Sequence, residues 1–184
     1  GLIYSQDSHD HQQKINLSQI DSIIINNPVD ESHASKFGSI VIQDSGGRMK
    51  PLNTFASEVL RKVSKSDSYK NLNADQVLLS ITKDPILWYN VPIIYLKRGN
   101  DSLRKIIGRN NKEKYAAFTD FFDEKGNYKI AKQLERSYKS VLPNAFEKDF
   151  IETDRKVNLL FSALDGKILT IFPIPNDPGN KWVS

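Results

Sequence analysis

The chain has 184 residues, no cysteine and a formal net charge of +4, with an isoelectric point near 9.1. One sizeable core can be buried at this length, and a content of 39% hydrophobic and 26% charged residues is that of an ordinary globular protein. The absence of thiols excludes disulfides, thiolate metal centres and thiol redox chemistry.

Residues 1–19 are polar, hold His9 and His11, and show neither helical nor strand periodicity, so they are expected to form a flexible tail or linker ahead of a globular domain over 20–184. The opening Gly1-Leu2-Ile3-Tyr4 has no secretory pattern. A chain without an initiator Met is expected to be an excised piece. No run approaches the roughly 18 apolar residues that span a bilayer.

Ile20 to Ile25 is apolar and ends at Asn26-Asn27-Pro28, which suits a strand or an anchoring segment. A short helix is predicted over Pro28 to Phe37, capped by Asp30 or Ser32 and ended by Gly38. Ser39 to Gln43 reads as a strand, and Asp44-Ser45-Gly46-Gly47 should reverse the chain, because glycine supplies positive φ without steric cost.

From Leu52 the residues Phe55, Ala56, Val59, Leu60 and Val63 repeat on one helical face, with Asn53 or Thr54 as cap and a Glu58–Lys62 pair outside. Asn73 with Gln76 forms a capping-box pattern for a second helix, which Asp84-Pro85 stops. Pro92 to Lys97 is β-branched and aromatic and reads as a strand after a turn at Ile86 to Asn90. Asp101 to Ile107 reads as a short helix ended by Gly108. Tyr115 to Phe122 suits a strand or a docking loop. Ile130, Leu134 and Tyr138 predict a helix before Pro143, and Asn144 with Glu147 caps a longer one carrying Phe146, Phe150, Thr153, Val157, Leu160 and Leu164 as one long buried stripe; the two should form a hairpin. Lys167 to Pro173 reads as a strand, followed by an irregular end. The fold expected is α+β, a helix-dominated single domain with a small β-sheet built from Ser39–Gln43, Pro92–Lys97 and Lys167–Pro173.

Catalytic signals are sparse. His33 is the sole histidine inside the predicted globule, so no Ser/His/Asp set assembles. A neutral imidazole at His33 can ligate haem iron, while an ordinary surface histidine on a short helix fits equally. The pair of glycines before Arg48 matches neither a P-loop nor a dinucleotide fingerprint. Arg48, Lys50, Arg61, Lys62, Lys65, Lys97, Arg98, Arg104, Lys105, Arg109, Lys112 and Lys114 are either a converging basic face for haem propionates, anionic lipid or an acidic peptide, or a solvated surface. Trp88, Tyr89, Phe118, Phe121 and Phe122 line a groove or fill the core.

Several strings in order, Asp30 to Gly38, Val41 to Phe55 with Ser57 to Lys62, and Ile168 to Pro178 running to Lys181-Trp182, resemble the extracytoplasmic region of fused cytochrome c biogenesis proteins of the ResB and CcsA kind found in Bacteroidetes. Asp84 to Leu96 and Phe118 to Gln133 look similar too. The resemblance implies a periplasmic domain tethered by transmembrane helices absent from this chain, in a system II machine that delivers haem to apocytochrome c. It implies as partners the transmembrane part of the same protein, apocytochrome c and haem, and no nucleic acid. The family's tryptophan-rich haem-handling motif is missing, so the chain is expected to be no enzyme by itself, although the parent resembles a haem lyase. No cofactor is expected in the isolated domain, with haem in the parent complex. A non-catalytic scaffold or binding role follows, with two alternatives: a haem-binding domain using His33 as axial ligand, or a module for anionic glycans or lipids. The candidate interaction surface is Gln43, Asp44, Arg48, Lys50, Asn176, Asp177, Lys181 and Trp182, on two loops dense in special-backbone residues.

Overall fold

The computed structural model describes residues 17–184. They form one α+β domain dominated by helices, with short antiparallel two-stranded ladders at its edges. Residues 1–16, and His9 and His11 with them, lie outside the described residues.

Helix α1 (Leu17–Asn26) begins within the stretch expected to be a tail, and the ambiguous run from Ile20 is helical rather than extended. Its i,i+4 pair Ile20 and Ile24 is buried, whereas Ile23 and Ile25 face outward. Helix α2 (Glu31–Gly38) starts at Asp30, whose side chain accepts from the His33 amide at 2.9 Å. Gly38 is buried where α2 meets its neighbours: a Cβ there would lie 2.5 Å from Asp75 Oδ2 and 3.1 Å from the Asn53 Cβ.

Strands β1 (Val41–Gln43) and β2 (Met49–Pro51) form the hairpin expected at the paired glycines, with Gly47 at φ 80°. Helix α3 (Leu52–Ser64) follows directly, and its cap position is Pro51 rather than Asn53 or Thr54. Strands β3 (Ser68–Tyr69) and β4 (Leu72–Asn73) lead into α4 (Ala74–Lys83), where the Asn73–Gln76 capping box forms as expected. Pro85 opens a one-turn helix, α5 (Pro85–Trp88), since proline is suited to a first helical position. Strand β5 (Ile94–Tyr95), helix α6 (Asp101–Ile107, ended by Gly108 at φ 78°) and strand β6 (Tyr115–Ala116) come next, and β5 pairs with β6. A 3-10 turn over Phe118–Phe121 leads to α7 (Ala131–Lys139) and the long α8 (Ala145–Leu164), the latter capped by the Asn144–Glu147 box. The two helices fold back on each other. The C-terminal stretch, expected to be irregular, pairs β7 (Phe172–Pro173) with β8 (Trp182–Val183).

The expected small sheet is therefore corrected. Ser39–Gln43, Pro92–Lys97 and Lys167–Pro173 join no common sheet; each contributes a strand to a separate ladder, because its nearest complementary edge is local. The core sits among α3, α4 and α8, with α2 against α3 and α4. Trp88, Phe121, Phe150 and Ile130 are fully buried in it, each such side chain contributing about 1.5–3 kcal/mol. Trp88 gives its indole N–H to Ser80 at 2.9 Å. Among the described residues no helix is long and apolar enough to cross a membrane.

Candidate functional site

The two loops singled out in the sequence meet at one end of the molecule, and Gln43 joins them. Its amide nitrogen donates to the Asn180 carbonyl at 2.9 Å and to Gly47 O at 3.2 Å. Its Oε1 accepts from the Trp182 amide at 2.8 Å. The Gln43 backbone N–H donates to Thr170 O at 3.1 Å, and the Thr170 hydroxyl donates to Gln43 O. The β1–β2 hairpin, the 167–170 segment and the β7–β8 hairpin thus form one unit.

The turn of the first hairpin is organised by Asp44. Its Oδ1 accepts from the amides of Gly46 at 2.9 Å and Arg48 at 3.0 Å, and its Oδ2 pairs with Lys50 at 3.0 Å and Arg48 at 3.4 Å. The Lys50 ammonium and these backbone amides hold its carboxyl down at about 2. Lys50 also reaches Glu58 at 3.0 Å, so Glu58 pairs with the hairpin instead of with Lys62 as its helical spacing suggested. Asp177 Oδ2 accepts the Lys181 amide at 2.9 Å in the second hairpin, and Asn176 turns the chain with φ 59°.

Between the hairpins, α3 and the end of α8 lies a cleft of about 400 Å³. Phe55, Val59, Leu159, Ile168 and Trp182 give it apolar walls, while Asp44, Glu58, Lys62 and Lys167 supply both signs of charge. Of the expected surface residues, Gln43, Asp44 and Trp182 line it; Arg48 projects into solvent and Lys181 is exposed. Phe55, Leu159, Ile168 and Thr170 were not singled out in the sequence. Ile168 and Thr170 lay within a strand reading, and no local signal brings them to Gln43.

His33 is exposed on α2 and lines neither this cleft nor the groove described next. Among the described residues no three His, Cys, Asp or Glu side chains converge as a metal set.

The aromatics divide. Trp88 and Phe121 are core, whereas Phe118 and Phe122, joined by Tyr128, Val157, Asn158 and Phe161, line a groove of about 440 Å³. Phe118 stacks on Phe161 with centroids 5.7 Å apart, and Phe122 on Tyr128 at 5.2 Å. Phe161 sits one step beside the buried stripe of α8, a flank position that an exposed phenylalanine marks.

The expected basic face is also divided. Arg104 is buried and donates to the carbonyls of Leu96, Lys97, Asn100 and Glu113 at 2.9–3.3 Å, tying α6 to the segments before and after it. Arg109 is held by Asp120 at 2.7 Å and Glu113 at 3.1 Å. Neither cation is available to a ligand as the sequence suggested.

Fold and site define a helix-dominated α+β domain in which a C-terminal hairpin is tied to an internal one beside a mixed polar and apolar cleft. The chain is similar to protein NrfI of Wolinella succinogenes, with 36% identity over 152 residues that make up 80% of this chain and 16% of that protein. It thus spans about one sixth of the length of that relative. No family model matches the chain. The likeness supports a relation to cytochrome c biogenesis. It also overturns the expectation that the chain is no enzyme by itself, because four fifths of the chain aligns within protein NrfI.

Proposed function

We propose that this chain is an extracytoplasmic domain of a longer, membrane-anchored cytochrome c haem-attachment protein of the ResB and CcsA kind, and that the cleft beside Gln43 takes up the unfolded apocytochrome segment carrying Cys-x-x-Cys-His. The observation that carries the proposal is the 36% identity to protein NrfI over 80% of the chain. The cleft supports the finer part. An unfolded segment offers apolar side chains for Phe55, Val59, Leu159 and Ile168, and the charged rim orients it at little cost in desolvation. The absence of thiols supports it as well, since a domain without cysteine forms no mixed disulfide with a dithiol client. Haem is then the second partner, met within the longer polypeptide.

Trp182 reports on the cleft, while fully buried Trp88 serves as an internal reference. Titrating the chain with a reduced Cys-x-x-Cys-His peptide is expected to change Trp182 emission saturably, and Phe55→Ala with Ile168→Ala to weaken that response. An unchanged emission, or the same response in the double variant, would contradict the assignment of the cleft.

A further inference from the structure

The tip of the α7–α8 hairpin presents the most exposed large apolar side chains among the described residues: Val141 is 95% and Leu142 88% exposed. Isolated exposed aliphatics are ordinary. Two in succession at a convex apex are less so, since the link has room for polar residues at no cost to the fold. Phe146, 45% exposed, lies just below them in the first turn of α8, packed edge-on against buried Phe150 at 4.9 Å. Tyr138, 57% exposed in the last turn of α7, is turned along α8, where its hydroxyl donates to Asp154 at 3.2 Å.

Charge is graded around this apex. Arg136 and Lys139 end α7, and Lys148 is exposed at the start of α8. The carboxylates beside them are engaged: Glu135 pairs with Lys139 at 2.6 Å, and Glu147 accepts the Asn144 amide at 2.9 Å. An aliphatic apex, an aromatic below it and cations behind match the layers of a membrane leaflet counted outward from its interior: acyl chains, interface, anionic headgroups. The exposed cations Arg136 and Lys148 beside the tip favour an anionic surface as its occupant.

We propose that the 140–146 tip is a lipid-contacting loop, which seats Val141 and Leu142 in the interface of an anionic membrane with Arg136 and Lys148 over the headgroups. No helix of the described residues spans a bilayer, so the contact lies on the surface. It is independent of the haem-attachment proposal, because it rests on a different end of the fold.

The test is cosedimentation of the 184-residue chain with vesicles of phosphatidylcholine alone and of an equal mixture with phosphatidylglycerol. The parent chain should bind the anionic vesicles preferentially. Val141→Ser with Leu142→Ser should weaken that binding by at least about tenfold, with an unchanged circular dichroism spectrum, as both side chains lie outside the core. Arg136→Glu with Lys148→Glu should remove the preference for phosphatidylglycerol. Equal cosedimentation of parent and aliphatic double variant would overturn the proposal, as would a solution oligomer that the same double variant dissolves.

Discussion

Gln43 and Arg104 show what single side chains do in a fold with little sheet. Gln43 ties two hairpins through two side-chain hydrogen bonds and makes a third within its own hairpin. At about 1 kcal/mol net for each, Gln43→Ala should destabilise the domain by about 2–3 kcal/mol and raise amide exchange at Trp182 far more than at Leu160; equal exchange at both positions would show the hairpins to be held otherwise. Arg104 is a buried cation whose partners are carbonyls rather than a carboxylate. Arg104→Ala leaves those carbonyls without donors and should cost about 2–4 kcal/mol in urea denaturation. Arg104→Lys should recover little, since one ammonium does not reproduce a planar fork. Recovery of full stability by lysine would mean that charge alone matters there.

At the scale of elements, the first hairpin carries a pH signature. The Asp44 carboxyl lies near 2 in the folded state against an ordinary value of 3.8. A lowered carboxylate contributes stability that is complete above the unfolded value and lost as pH falls through the folded one. The hairpin should therefore loosen between about pH 4 and pH 2, seen as a change in Trp182 emission that Asp44→Asn abolishes. Persistence of the acid transition in Asp44→Asn would assign it to another group. Helix ends were legible in the sequence because their chemistry is local: Asn73 with Gln76, Asn144 with Glu147 and Gly108 all sit where their spacing placed them. Asn144→Ala should accordingly cost about 1 kcal/mol. Helix α1 was less legible, since three successive isoleucines, Ile23 to Ile25, satisfy either period. Pairing was legible only at the Gly46-Gly47 reversal, and contacts between distant segments were not. Trp182 lies 139 residues from the glutamine that receives its amide, and nothing local to either residue encodes that distance.

For the whole molecule, composition and helix periodicity sufficed to give a single helix-dominated α+β domain, and the long stripe of α8 supplied much of its core. The two candidate loops were found by their glycines and prolines. Their union into one cleft depends on contacts between the middle and the end of the chain, which only the folded backbone brings together. His33, chosen by residue type alone, stands apart from both the cleft and the aromatic groove. If haem binds the isolated chain, His33→Ala should leave its Soret band in place; loss of the band in that variant would make His33 the ligand.

The identity with protein NrfI covers most of this chain and a small part of that relative, so the most direct measurement is made in the longer polypeptide. Holocytochrome c formation, followed by haem staining in cells that depend on the full protein, is predicted to fall sharply with Gln43→Ala combined with Trp182→Ala, while apocytochrome accumulates and the protein remains at its normal level. Holocytochrome yield equal to that of the parent protein at equal abundance would contradict a role for the cleft in haem attachment.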